Sequence, residues 1–362
     1  MTPPAAGPVL TSPAAPAGSG GFPRTGVRRE ASVPAEIRGA GRDDVALLVA
    51  GRREGELRPL RFPELAAVLR PGDALVVNNS ATVPAALDAA GSDGRAWRLH
   101  ISGRLPGDLW AVEPRVPAGP TSAAALDSEP GPRLDLPGGH RAHLLERAWD
   151  SRRLWIAKLS LPVGTVAGYL DRHGQPIRYS YVSRPWPIQA YQSVFSLCPG
   201  SAEMPSAARP FTTGAVTALV SSGIEVVPVT LHTGVSSLEA GEAPYPEWVE
   251  VSLGAADRIN RVKAAGGRVV AVGTTVVRAI ESAADRAGRL HPWRGWTDLV
   301  IGAARDVAVV DGLLTGWHEP ESTHLDMLEA IGGAELVARS YRAAMDAGYL
   351  WHEFGDVHLI LP

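Results

Sequence analysis

At 362 residues, with hydrophobic residues at 45% and a formal charge of −3, the chain is long enough for two cores and lacks the excess positive charge that captures nucleic acid wholesale. A single cysteine, Cys198, excludes an internal disulfide and a cysteine-cluster metal site. No apolar run approaches the ~20 residues that span a bilayer, and the N-terminus lacks the charged start and apolar middle of a signal peptide, so a soluble, cytoplasmic chain is expected. Residues 1–30 are mostly Pro, Ala, Gly and Ser and predict a disordered tail, because they cannot bury enough surface to offset chain entropy.

Residues 45–50 and 57–62 read as a hairpin around the turn 51–55. Pro63 suits the first position of a short helix over 64–69, which the Pro71-Gly72-Asp73 turn ends before a strand at 74–78. Beyond Asn79 the texture changes. Short runs at 97–101, 109–112, 140–145 and 154–157 are separated by Gly and Pro turns every ~10 residues, the spacing of a small antiparallel barrel or sandwich. From Thr165 helices and strands alternate again. The expectation is an α/β main domain, over 31–73 and 163–362, with a small antiparallel β-barrel inserted over 74–162.

Residues 268–284 write a buried strand, a turn and an amphipathic helix in succession. Val269 to Val272 suit a strand covered on both faces, Gly273 permits an unusual turn, and Thr274 or Thr275 can cap the helix that follows. Its first N–H groups attract a phosphate or carboxylate, so Gly273, Thr274, Thr275 and Arg278 are candidate ligand-holding residues; a merely well-capped core helix fits the same pattern.

In order, the chain carries Leu69-Arg-Pro-Gly-Asp-Ala-Leu-Val-Val-Asn-Asn79, Ala190-Tyr-Gln-Ser-Val-Phe195, Val229-Thr-Leu-His-Thr-Gly234, Val270-Ala-Val-Gly-Thr-Thr-Val-Val-Arg278, Val310-Asp-Gly-Leu-Leu-Thr315 and Phe354-Gly-Asp356. This closely resembles the S-adenosylmethionine:tRNA ribosyltransferase-isomerase family from about residue 34 to the C-terminus. The resemblance implies an α/β domain interrupted by a six-stranded barrel and an enzyme acting at the tRNA wobble position. S-adenosylmethionine is then a co-substrate, tRNA a partner, and no metal is called for. The implied reaction moves the ribosyl part of S-adenosylmethionine onto the aminomethyl group of a 7-deazaguanine base and isomerises it, releasing adenine and methionine and leaving epoxyqueuosine. A monomer with no membrane partner is expected.

Forming a sulfonium ylide needs a base near the ribose 5′ carbon, and expelling adenine needs an acid near the purine. His232, at the end of a strand over 225–231, and His318, beyond Thr315, are candidates for those roles, with Asp311 and Asp356 as candidate carboxylates, Asp356 being the better one because a negative group there could face the sulfonium or the aminomethyl cation. Each has a structural alternative; Asp311 with Gly312 could simply form a turn. Asn78 and Asn79 end a strand where amides can read a base edge, and Thr230 and Thr315 complete the candidate binding set. His318, Glu319 and His324 lack the spacing of a zinc protease. Arg28 and Arg29, Arg52 and Arg53, Arg152 and Arg153, with Arg95, Arg98 and Arg104, could follow RNA phosphates or form solvated surface. Trp97, Trp110, Trp149 and Trp155 read as barrel packing, although an exposed one could stack on an unpaired base.

The chain departs from the family pattern near these positions. Ala86 stands in place of an arginine, Ala208 in place of a glycine and Pro210 in place of a histidine. The segments 234–238 and 316–324 also differ. Alternatives to the family reaction are therefore an S-adenosylmethionine-using transferase with another nucleoside or small-molecule acceptor, and a non-catalytic RNA-binding relative.

Overall fold

A computed structural model describes residues 30–362 apart from 40, 120, 150, 162–164, 236–243, 303–304 and 319–322. The N-terminal tail up to residue 29, with Arg28 and Arg29, therefore lies outside the described residues, as do most of the altered segment at 234–238, Glu319 and Ser322.

The larger sheet has nine strands. Across it run Trp293–Thr297, Glu247–Val251, Glu225–His232, Ala74–Asn78, Val269–Val272, Gly312–Gly316, Val357–Leu361, Ala46–Gly51 and Leu57–Arg61. The central four, from Glu225–His232 to Gly312–Gly316, are mutually parallel. Such strands are covered on both faces, which is why Ala74–Asn78, Val269–Val272 and Gly312–Gly316 are buried at every residue. Alternation then feeds two cores. Val76, Val227 and Ala271 join the helices Leu253–Ala264, Thr274–Ser282 and Ala334–Asp346 on one side, while Leu75, Val77 and Val270 join Phe62, Phe211 and the helix Thr213–Ser221 on the other. The predicted hairpin is present as Ala46–Gly51 against Leu57–Arg61.

The second sheet closes on itself. Strands Ala86–Gly91, Ala96–Arg104, Leu109–Ala118, Arg133–Leu136, His140–Arg147 and Trp155–Ser160 form a six-stranded antiparallel ring, completed where Trp155 to Lys158 pair with Val112 to Leu109. Breaks in register between Ile101 and Gly103 and between Leu144 and Glu146 supply the bends that closure needs. Leu87, Trp97, Leu99, Val112, Leu134 and Ala157 fill the interior. The strand Ala74–Asn78, which the sequence boundary placed with the barrel, belongs instead to the larger sheet, because its five successive buried residues can be covered only between two helical layers.

The chain leaves for the barrel through Ser80–Thr82 and returns through Cys198–Ser201, and these two short strands pair with each other in parallel. They sit beside the end of Glu225–His232, at the carboxyl edge of the parallel strands. That edge is where open α/β sheets bind ligands.

Candidate functional site

A cavity of about 1060 Å³ lies between that edge and the barrel, walled on the sheet side by His232, Thr274 and Thr275 and on the barrel side by Ser102, Trp110 and Lys158. It is large enough for a nucleoside-sized ligand with neighbours.

His232 reaches the cavity as the last residue of Glu225–His232. Its Nδ1 lies 2.7 Å from Ser80 Oγ, which is 2.6 Å from Ser201 Oγ. Thr233 donates its backbone N–H to Ser201 Oγ over 3.0 Å, and Thr233 Oγ1 lies 2.9 Å from both Ser201 Oγ and the Glu203 carbonyl. Because each hydroxyl can donate one proton and accept others, the row can point toward His232 or away from it. Nε2 can therefore carry either a lone pair or a proton. Burial holds the imidazole below its usual range, opposed by the Glu250 carboxylate, so the neutral form prevails at neutral pH. A Cβ at Gly200 would meet His232 Nδ1 at 2.5 Å, and one at Gly234 would meet Ser102 Oγ at 2.6 Å. Both glycines are required by close approach rather than by turn geometry.

At the next strand end, Gly273 has φ +91° and is itself the residue that starts the helix Thr274–Ser282. The cap expected from Thr274 or Thr275 is not made. Both threonines line the cavity instead. Arg278 is buried and committed, in an ion pair with Glu247 and in bonds to the carbonyls of Leu299 (3.0 Å), Thr297 (3.2 Å) and Tyr245 (3.3 Å). Glu247 in turn accepts the N–H of Gly234 at 2.9 Å. Glu281, on the same helix, accepts from the N–H groups of Ala308, Val309 and Val310. The polar face of this helix therefore braces loops rather than meeting water.

His318 stacks on His324 with ring centroids 4.3 Å apart, and His324 lines the cavity. Burial, then Arg278 and His352, push the His324 imidazole down to about 4; burial, then His324 and His352, hold His318 well below its ordinary range. Behind them His352 stacks on Tyr181, whose hydroxyl donates to Glu353 at 2.5 Å. Burial pushes the Glu353 carboxyl up to about 7. Sequence reasoning placed His318 in the site and left out His324, Ser80, Ser201 and Gly200, which come from distant segments.

Other candidates stand apart. Asp311 lies at the opposite end of its strand, accepting from Val269 N at 2.8 Å with Lys263 nearby. Asp356 shares the ligand edge, but its carboxylate accepts from Ala46 N and Leu350 N, both at 2.7 Å, and fixes backbone. Asn78 is fully buried, its amide exchanging bonds with Leu231 and accepting from Ser80 N, so it cannot read a base edge. Asn79 accepts from the Thr230 hydroxyl at 2.6 Å, and Thr315 is buried outside the cavity lining. Of the arginines, Arg153 is buried against Glu113 and Arg98 is paired with Asp88, while Arg104 reaches the cavity. Trp97 is core and Trp149 is 40% exposed at the cavity wall.

A model of the family described as queuosine biosynthesis protein matches residues 27–360. The chain belongs to that family. An S-adenosylmethionine:tRNA ribosyltransferase-isomerase of Symbiobacterium thermophilum is 33% identical over 348 residues, covering 88% of this chain and 94% of the relative; one of Acaryochloris marina is 35% identical, covering 83% of each. The crystal structure of an S-adenosylmethionine tRNA ribosyltransferase from Thermotoga maritima is similar, with a TM-score of 0.51 and 26% identity over 92% of this chain and 96% of that one. This queuosine-family chain thus keeps the expected α/β domain with its barrel. Among its described residues no three His, Cys, Asp or Glu side chains converge as metal ligands, and no helix is long and apolar enough to cross a membrane.

Proposed function

We propose that the chain transfers and isomerises the ribosyl moiety of S-adenosylmethionine onto 7-aminomethyl-7-deazaguanine at the wobble position of tRNA, giving epoxyqueuosine with release of adenine and methionine. Family membership across nearly the whole chain supports the reaction class. One structural observation carries the residue assignment: His232 borders the cavity with Nδ1 held by Ser80, leaving Nε2 for a substrate.

In this reading neutral His232 removes the proton next to the sulfonium, and the carbon left electron-rich is the ylide. His232 then holds that proton as an imidazolium whose Nδ1–H donates into the hydroxyl row Ser80–Ser201–Thr233, and the same Nε2 returns the proton later. His324, backed by His318 and lining the same cavity, is the second proton-handling candidate. Thr274 and Thr275 receive the negative end of the co-substrate at unpaired N–H groups.

The test combines the protein with S-adenosylmethionine and tRNA bearing 7-aminomethyl-7-deazaguanine, following adenine and the mass of the wobble nucleoside. Adenine with the epoxyqueuosine mass is expected. Adenine without that mass would move the proposal to another acceptor, and no adenine beside an active relative would overturn it.

A further inference from the structure

The cavity is lined by two aromatic pairs that the transfer chemistry does not use. Trp149, on the barrel, lies 5.6 Å from Tyr245, on the larger domain, with ring planes 31° apart. Trp149 holds φ +51°, a left-handed conformation that costs a bulky residue of order 1–3 kcal/mol, yet its ring is 40% exposed rather than packed in a core. The Tyr245 hydroxyl donates to Ser151 Oγ at 2.6 Å, which ties the tyrosine ring to the barrel across the domain junction. On the adjoining wall Trp248 and Trp296 sit edge to face at 5.7 Å, with the Arg294 guanidinium 5.9 Å over Trp248. All four rings line the one cavity.

Cations accompany them. Among the described residues Lys158, which lines the cavity, has no ion pair, and Arg104 and Arg294 form ion pairs only with exposed Asp108 and half-buried Glu250. Exposed pairs of this kind contribute little and exchange readily for a phosphate. Aromatic faces beside exposed cations are the chemistry of single-stranded nucleic acid, whose unstacked bases offer a π-face and whose backbone offers charge. A duplex hides its base faces, and a protein partner would favour an apolar surface without the cations.

We propose that Trp149–Tyr245 and Trp248–Trp296 are stacking walls for the unpaired bases flanking the reacting base of an RNA loop, with Lys158 on a neighbouring phosphate. The inference rests on the tRNA reading above and adds how the loop is recognised.

The probe is an unmodified tRNA anticodon stem-loop, titrated against the full chain while tryptophan fluorescence is followed, with a fully paired duplex of equal length as comparison. The stem-loop should bind more tightly and quench. Trp149→Ala and Trp248→Ala should each raise its Kd roughly 5- to 150-fold, the loss of one stacked base; Trp149→Phe should recover most of it. Lys158→Glu, an exposed change, should flatten the salt dependence by about one phosphate. Equal affinity for stem-loop and duplex, or unchanged Kd in both alanine variants, would overturn the stacking walls. Adenine release by the wild-type chain on modified tRNA is scored separately, so the stacking walls can fail while the transfer reaction stands.

Discussion

Gly200 and His232 share one space: a side chain on the first would lie 2.5 Å from Nδ1 of the second. Gly200→Ala should therefore rotate the imidazole away from Ser80 and lower adenine release by on the order of 10²-fold, the cost of a misplaced reacting group, while the melting temperature changes little. Unchanged turnover would show that the ring's position is immaterial.

His232→Ala should reduce turnover by roughly 10²- to 10⁴-fold without unfolding, and Ser80→Ala by part of that. Because burial lowers the imidazole's affinity for protons, the acid limb of the rate profile belongs below pH 6.5. An acid limb above that value in kcat would assign it to another group.

Asp356→Asn should act on stability first. Its carboxylate holds two backbone N–H groups, joining the first residue of Ala46–Gly51 to the turn before Val357–Leu361. Losing one such bond should cost about 1–3 kcal/mol in chemical denaturation. An inactive variant of wild-type stability would restore Asp356 to the chemistry.

His358 is fully buried, stacked 4.6 Å from Trp317, with neither ring nitrogen meeting a hydrogen-bond partner among the described residues. Burial pushes its imidazole down to about 3. The unfolded chain takes up this proton near pH 6.5 and the folded chain only near 3, so stability falls as pH drops through that window. His358→Phe should raise the melting temperature at pH 7 and reduce the acid sensitivity. A variant as acid-sensitive as wild type would place that sensitivity elsewhere.

Much of the fold was legible because it is written locally. Val269 to Val272 announce a doubly covered strand by apolarity alone, and the regular turns of the barrel announce short antiparallel strands. The place of His232 and Thr274 on the cavity wall was also legible, since strand ends feed the ligand edge. What stayed hidden depends on distant partners: Ser80 and Ser201 are ordinary serines until pairing of Ser80–Thr82 with Cys198–Ser201 brings them under His232. Asp356 and Asn78 misled for the complementary reason. Polar residues at strand ends look alike in sequence whether they serve a ligand or the neighbouring backbone, and here the backbone claims both.

The paired strands that carry the chain out to the barrel and back have a mechanical meaning. They run directly beneath the imidazole, since Ser80 belongs to the outgoing strand and Ser201 to the returning one. The hydrogen bond that orients Nδ1 is thus set by the same two strands that tether the barrel, and a foreign barrel grafted onto this sheet would have to keep their pairing to keep the imidazole in place.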